Sequence, residues 1–155
     1  LRKIKDTDSS QRYKIHYRKR GTDGGVLLRV ETGFRGIPAC GNIEVVNGIR
    51  TWNIPTIYSQ KLEAAENRVK GRDIYGLTFL AKTYGSLLSG EQISRSMNLL
   101  SDRESMIDVH EVSFSEDDIL SRMTTALDTV IQFRESLESE IGRRTSAQKE
   151  KRDKL

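Results

Sequence analysis

Between Pro55 and Leu88 the apolar residues fall into two consecutive stripes at helical spacing, and no other feature restricts the fold as much. Tyr58, Leu62, Ala65 and Val69 make the first stripe; Ile74, Leu77, Ala81, Tyr84 and Leu88 make the second. Residues three and four apart share one face of an α-helix, so each stripe predicts a helix with one buried side. Val69-Lys70-Gly71 ends the first helix and makes the pair a helical hairpin. Lys61 projects away from the first stripe, Arg68 lies near its side of the same helix, and Arg72 and Asp73 open the second helix. The four side chains are expected to converge near the connection, and such a cluster suits a polyphosphate.

Upstream the period changes to two. Tyr13, Ile15 and Tyr17 alternate with Lys14, His16 and Arg18, which predicts a half-buried strand. The run Gly21-Thr22-Asp23-Gly24-Gly25 supplies a turn, and Val26, Leu28, Val30 and Phe34 then share a face opposite Arg29, Glu31 and Arg35. These two strands pair as an antiparallel hairpin. Ile43 to Val46 and Ile49 to Ile54 flank Asn47-Gly48, a dipeptide suited to a type I′ turn because both central residues need positive φ. Trp52 is expected to anchor this second hairpin on the helices.

Downstream the chain is helical. Ser89 with Gln92 has capping-box spacing ahead of Ile93, Met97 and Leu100. Ser115 with Asp118 has a looser version ahead of Leu120, Met123, Leu127, Ile131, Leu137 and Ile141, and Glu116, Asp117 and Asp118 complement the positive end of that helix. The expected fold class is α+β, two antiparallel β-hairpins followed by a bundle of about four helices. The expected organisation is a single domain over 1–141, with hairpins at 12–54 and the bundle at 56–141, followed by a basic tail at 142–155 that is frayed or disordered.

The formal charge of +4 conceals a strong segregation. Residues 1–20 hold eight Lys/Arg against two acids, residues 101–140 three against eleven, and residues 142–155 six against two. Basic ends of this kind either contact nucleic acid phosphates or are solvated surface; only Tyr13 and Tyr17 interleave aromatics for base stacking. No apolar run approaches the roughly 18–20 residues that span a bilayer, and no signal-peptide pattern opens the chain, so a cytoplasmic protein without a membrane role is expected. Cys40 is the only cysteine, which excludes an intramolecular disulfide and a cysteine metal cluster. His16 and His110 have no partners at metal-ligand spacing.

The lysine-bearing helix followed by Arg72-Asp73-Ile74-Tyr75-Gly76-Leu77 resembles the C-terminal half of the AbiEii/AbiGii-type nucleotidyltransferase toxins, whose second helix opens on an R-D-x-Y-D-L run. The order of upstream elements is similar over about residues 4–88: Arg12 to Tyr17, Leu28-Arg29-Val30-Glu31, then Asn47-Gly48-Ile49 into Ile54-Pro55. Gly76 departs from the pattern by replacing its second aspartate. The resemblance implies transfer of a nucleotide from a nucleoside triphosphate to an acceptor such as RNA, with Mg2+ as cofactor and an antitoxin protein as a partner. It implies that Lys61, Arg68 and Arg72 bind the nucleotide and that Glu31 and Asp73 are catalytic, Glu31 also binding metal. From the residues alone, Lys61 can also be read as a snorkelling helix lysine, Glu31 as a charge partner of Arg29 and Arg35, and Asp73 as a helix N-terminal acid. The Gly-Ser turn and Asp-x-Asp strand that hold the family's two metals do not precede the hairpin. Asp6-Thr7-Asp8 has the spacing but no such turn before it, and reads as a polar lead into the next strand. The expectation is therefore a C-terminal portion of such an enzyme, inactive on its own, with a non-enzymatic module binding RNA or a partner protein as the alternative.

Overall fold

A computed structural model describes residues 2–7, 10–18, 25–33 and 42–154. The chain divides into two compact units, Leu1–Gly41 and Asn42–Leu155. In the first, strands β1 (Arg2–Thr7), β2 (Ser10–Arg18) and β3 (Gly25–Gly33) form an antiparallel sheet in that order. Tyr13 faces Val30 and Ile15 faces Leu28 across β2 and β3, so the alternating pattern sets the register. Asp6 and Thr7, read from sequence as a lead-in, belong to β1 and pair with Gln11 and Ser10. Backbone pairing adds this strand although its polar sequence carries no apolar alternation. Phe34, Arg35 and Cys40 lie outside the described residues.

The second unit begins with the hairpin of β4 (Ile43–Val46) and β5 (Ile49–Trp52). Asn47 and Gly48 have φ of +50° and +78°, as a type I′ turn requires. Asn53 then caps α1 (Ile54–Asn67), its side-chain oxygen accepting from Thr56 N–H at 3.0 Å. Helices α2 (Gly71–Tyr84), α3 (Gly90–Leu99), α4 (Arg103–Ser115), α5 (Leu120–Met123) and α6 (Ala126–Asp153) follow. The expected two hairpins followed by a helical bundle are present, with β1 added to the first sheet and six helices in the described chain.

Two helix boundaries differ from the sequence reading. The first stripe stops at Ala65, because α1 ends at Asn67 and leaves Val69 exposed. Asn67 donates from its side chain to the Glu63 carbonyl at 2.7 Å, a bond that competes with continued helix. The long helix starts at Ala126, capped by Thr125, and Ser115 closes α4 instead of opening it. The side chain of Asp117 accepts from Ile119 and Leu120 N–H at 3.0 and 3.1 Å and starts the separate α5. The buried face of α6 therefore carries Ala126, Val130, Phe133 and Leu137, while Met123, Leu127 and Ile141 are exposed. The Ser89–Gln92 capping box is present with both of its hydrogen bonds, at 2.8 and 3.1 Å.

The core joins Tyr58 and Leu62 of α1, Ile74 and Leu77 of α2, Leu100, and Val130, Phe133 and Leu137 of α6. Each such apolar side chain contributes about 1.5–3 kcal/mol on burial, against about 0–1 kcal/mol for an exposed ion pair, so packing and not surface charge holds the bundle. Helix α6 continues through the basic segment to Asp153. Buried Glu140 is paired with Arg143 and Arg144, and Arg144 also donates to the Leu88 carbonyl at 2.7 Å, which ties this segment to the turn after α2.

Tyr58 is fully buried, and its hydroxyl lies 2.7 Å from Ser96 Oγ. Ser96 Oγ donates to the Gln92 carbonyl at 2.8 Å, so the Tyr58 hydroxyl is the donor between them. Burial pushes the Tyr58 phenol up from 10.0 to about 12, the bond to Ser96 opposing this only in part. The folded state then keeps a proton that the unfolded chain has released, so this contribution is complete below pH 10.0 and is lost as pH rises toward about 12. Tyr58→Phe is expected to lower stability at pH 7 by about 1 kcal/mol through the lost hydrogen bond. In urea titrations its stability should fall less steeply than wild type between pH 10 and 12; parallel alkaline slopes would refute the assignment.

Candidate functional site

The cleft at the α1–α2 connection is built from three elements. Helix α1 supplies Lys61, its C-terminal cap is Arg68, the first turn of α2 supplies Arg72 and Asp73, and the end of α4 with the following turn supplies Ser113, Glu116 and Asp117. Together with Lys70 and Gly71 these residues line a space of about 580 Å³. Helix α2 lacks a cap of its own at Lys70, and Gly71 N–H donates instead to Ser113 Oγ at 2.8 Å. A Cβ at Gly71 would lie 2.7 Å from the Phe114 ring, so only glycine lets the start of α2 sit this close to α4.

Asp73 is the centre of the cluster and is buried to 5% exposure. Its Oδ2 accepts from Arg68 Nε at 2.8 Å, and its Oδ1 lies 3.8 Å from Lys61 Nζ. The hydrogen bond to Asp73, with its charge, raises the Arg68 guanidinium above the ordinary arginine value. Lys61 lies off the apolar stripe of α1 and reaches the connection, as expected. It leans across α2 at Gly76, where the absence of a side chain leaves room. Arg72 turns the other way and pairs with Asp117. Convergence of Lys61, Arg68, Arg72 and Asp73 is thus observed, with Arg72 bound to a carboxylate that sequence assigned only to a helix start.

Lys70, Gly71, Ser113, Glu116 and Asp117 are the lining residues that sequence reading missed. No spacing rule links Arg72 to Asp117, which follows it by 45 residues. The one usable signal was the acidic run Glu116-Asp117-Asp118 itself. Glu31 belongs to β3, opposite Arg12 in register and in the other compact unit, and its side chain lies outside the described residues.

The four cations of the cleft face three carboxylates, Asp73, Glu116 and Asp117. Asp73 is engaged by Arg68 and Lys61, and Asp117 by Arg72 and the start of α5. Among the described residues no group of three or more His, Cys, Asp or Glu is placed to hold a metal ion. These carboxylates do not fit the Mg2+ implied by the resemblance, since a hard dication needs several free oxygens. No step through a metal is assigned to this cleft.

Two solved structures match the chain. The crystal structure of JHP933 from Helicobacter pylori matches with a TM-score of 0.82 and 25% identity, over 99% of this chain and 68% of that one. A crystal structure of a candidate nucleotidyltransferase from H. pylori matches with a TM-score of 0.78 and 25% identity, over 92% of this chain and 65% of that one. No family model matches the sequence, and no curated protein does. Among the described residues no helix is long and apolar enough to cross a membrane. The chain thus has a fold like that of a candidate nucleotidyltransferase and spans 68% and 65% of the two proteins it resembles.

The Arg72–Asp117 pair gives the cleft an acid-side signature. The hydrogen bond from Arg72, with those from Leu120 and Ile119 N–H, lowers the Asp117 carboxyl below 3.8. A depressed carboxyl stabilises the fold above the unfolded value and loses that contribution as pH falls through the folded one. Asp117→Asn keeps an oxygen for the α5 cap and removes the charge. Its urea midpoint should lie below wild type at pH 7, and the gap should close as pH falls below 3.8; a gap that persists there would refute the pairing.

Proposed function

We propose that this cleft binds the triphosphate of a nucleoside triphosphate and that the chain is the C-terminal portion of a nucleotidyltransferase toxin-like protein of the AbiEii type. The observation that carries the reading is that Lys61 and Arg68, held at the buried Asp73, line one open cleft together with Arg72, which is paired to Asp117. The match to a candidate nucleotidyltransferase structure supports it. In the proposed reaction an acceptor hydroxyl oxygen, for example on RNA, bonds to the α-phosphorus while the bond to the β-phosphate bridging oxygen breaks and pyrophosphate leaves. Negative charge builds on phosphate oxygens, and preorganised cations are what lower that barrier. Lys61 and Arg72 contact the phosphates, Arg68 anchors Asp73, and Asp73 orients Lys61. The acceptor proton passes to water; for Glu31, in the other compact unit, the proposed role is the catalytic and metal-binding one that the resemblance implies, and an antitoxin protein is the proposed partner.

Both arginines are held by carboxylates, so a phosphate must displace Asp117 from Arg72 to engage it. Binding is therefore expected to be weak and to fall with salt, because exposed charge contacts are screened. The same engagement favours the second reading, a non-enzymatic module that binds RNA or a partner protein.

The test is a radiolabel transfer assay with all four nucleotides, Mg2+ or Mn2+ and bulk tRNA. It is run on the 155-residue chain and on a version fused to a Gly-Ser and Asp-x-Asp unit. The fused version should transfer nucleotide and lose at least about tenfold in rate on Lys61→Ala, since a hydrogen bond to a charged group is worth about 1.5–3 kcal/mol. The chain alone should transfer none. Transfer that survives Lys61→Ala and Arg72→Ala together would overturn the site assignment, and RNA binding without any triphosphate binding would select the second reading.

A further inference from the structure

Gly76 stands in the middle of α2, where nothing about the backbone calls for glycine. Its φ is not positive, since Gly48 is the one described glycine in that region. A glycine inside a helix is less favourable than alanine, because it loses more backbone freedom on folding and packs nothing. What a side chain would meet there is specific. A Cβ at position 76 would lie 2.8 Å from Lys61 Cε and 3.0 Å from both Cδ and Nζ, and these are its three nearest neighbours. Carbon atoms pack at about 3.5–4.0 Å, so Lys61 could not keep its place. Gly71 differs, because its missing Cβ faces the Phe114 ring and serves the packing of α2 against α4.

We propose that Gly76 is a positioning residue for Lys61: the bare helix surface there lets the lysine stem lie across α2 and holds its ammonium 3.8 Å from Asp73, at the edge of the phosphate cleft. For its ligand the inference rests on the triphosphate reading above. Lys61 is only 36% exposed, because its stem is laid on the neighbouring helix. A long side chain confined in this way has less freedom to lose when a phosphate arrives, which is how preorganisation raises affinity. Alanine at position 76 would push aside only the flexible end of Lys61, so the fold should survive. The two effects then have opposite signs: the helix gains propensity while the cleft loses its ordered lysine.

The experiment compares wild type, Gly76→Ala, Lys61→Ala and the double variant in three measurements. These are thermal unfolding, calorimetric titration with inorganic tripolyphosphate, and the Lys61 Cε resonance in carbon-detected NMR. Gly76→Ala should raise the unfolding midpoint by about 1–4 °C. It should weaken tripolyphosphate binding about threefold to tenfold, and move the Lys61 resonance toward that of the other lysines. In the Lys61→Ala background the binding effect of Gly76→Ala should vanish, the coupling expected of residues that act through one contact. An unmoved Lys61 resonance in Gly76→Ala would overturn the inference, as would an equal loss of binding in the Lys61→Ala background. Should wild type bind no tripolyphosphate, the triphosphate reading fails, while the resonance still decides whether Gly76 places Lys61.

Discussion

A carboxylate that is almost fully buried cannot stay charged without partners, and Asp73 organises the cleft on that condition. Its place in the first turn of α2 supplies one favourable term, the positive end of the helix. Arg68 and Lys61 supply the rest, and the chain between α1 and α2 must run so that both reach it. The partners are not buried to the same degree. Arg68 is 60% exposed and Lys61 36%, so the anchor is fixed while the cations keep access to solvent. Removing its cations would therefore do more damage than removing the carboxylate, since Asp73 is the member with nowhere to relax while Arg68 and Lys61 can turn to water.

The bundle beneath the cleft is held by packing, with a few buried polar contacts that fix its geometry. Tyr58 reaches across the core to Ser96 on α3, and Gln92, beside it on the same helix, donates to the Pro55 carbonyl and to Ser59 Oγ on α1. These bonds tie α1 to α3, while Leu77 and Phe133 lie in the core that joins α2 and α6. Gly71 against Phe114 and its bond to Ser113 then set α2 on α4. The cleft sits where these contacts bring three helices together, which explains how lining residues so distant in sequence meet.

Charge in the cleft is nearly balanced, four cations against three carboxylates, and this shapes what it can bind. A polyanion entering it exchanges one acidic partner for another instead of filling an empty cationic pocket. On the triphosphate reading proposed above, such an exchange would give modest affinity and ready release. It also makes the placement of Lys61, the cation farther from its carboxylate at 3.8 Å, the most sensitive variable of the site.

The sequence by itself determined what depends on neighbours a few residues apart. The stripes Tyr58-Leu62-Ala65 and Ile74-Leu77-Ala81 predict the helical hairpin, Asn47-Gly48 its preceding turn, and Ser89 with Gln92 the start of α3, because periodicity, φ and capping are local. That Lys61, Arg68, Arg72 and Asp73 meet follows from the hairpin too. Only the tertiary structure decided which charges neutralise which. Asp117 pairs with Arg72 across the fold and also starts α5, which moves the true start of the long helix to Ala126 and changes the residues it buries. The leaning of Lys61 over Gly76 and the capping of α2 by Ser113 are likewise contacts between elements. They depend on how closely two helix surfaces approach, a distance set by the packing of the whole core and encoded at no single position of the chain.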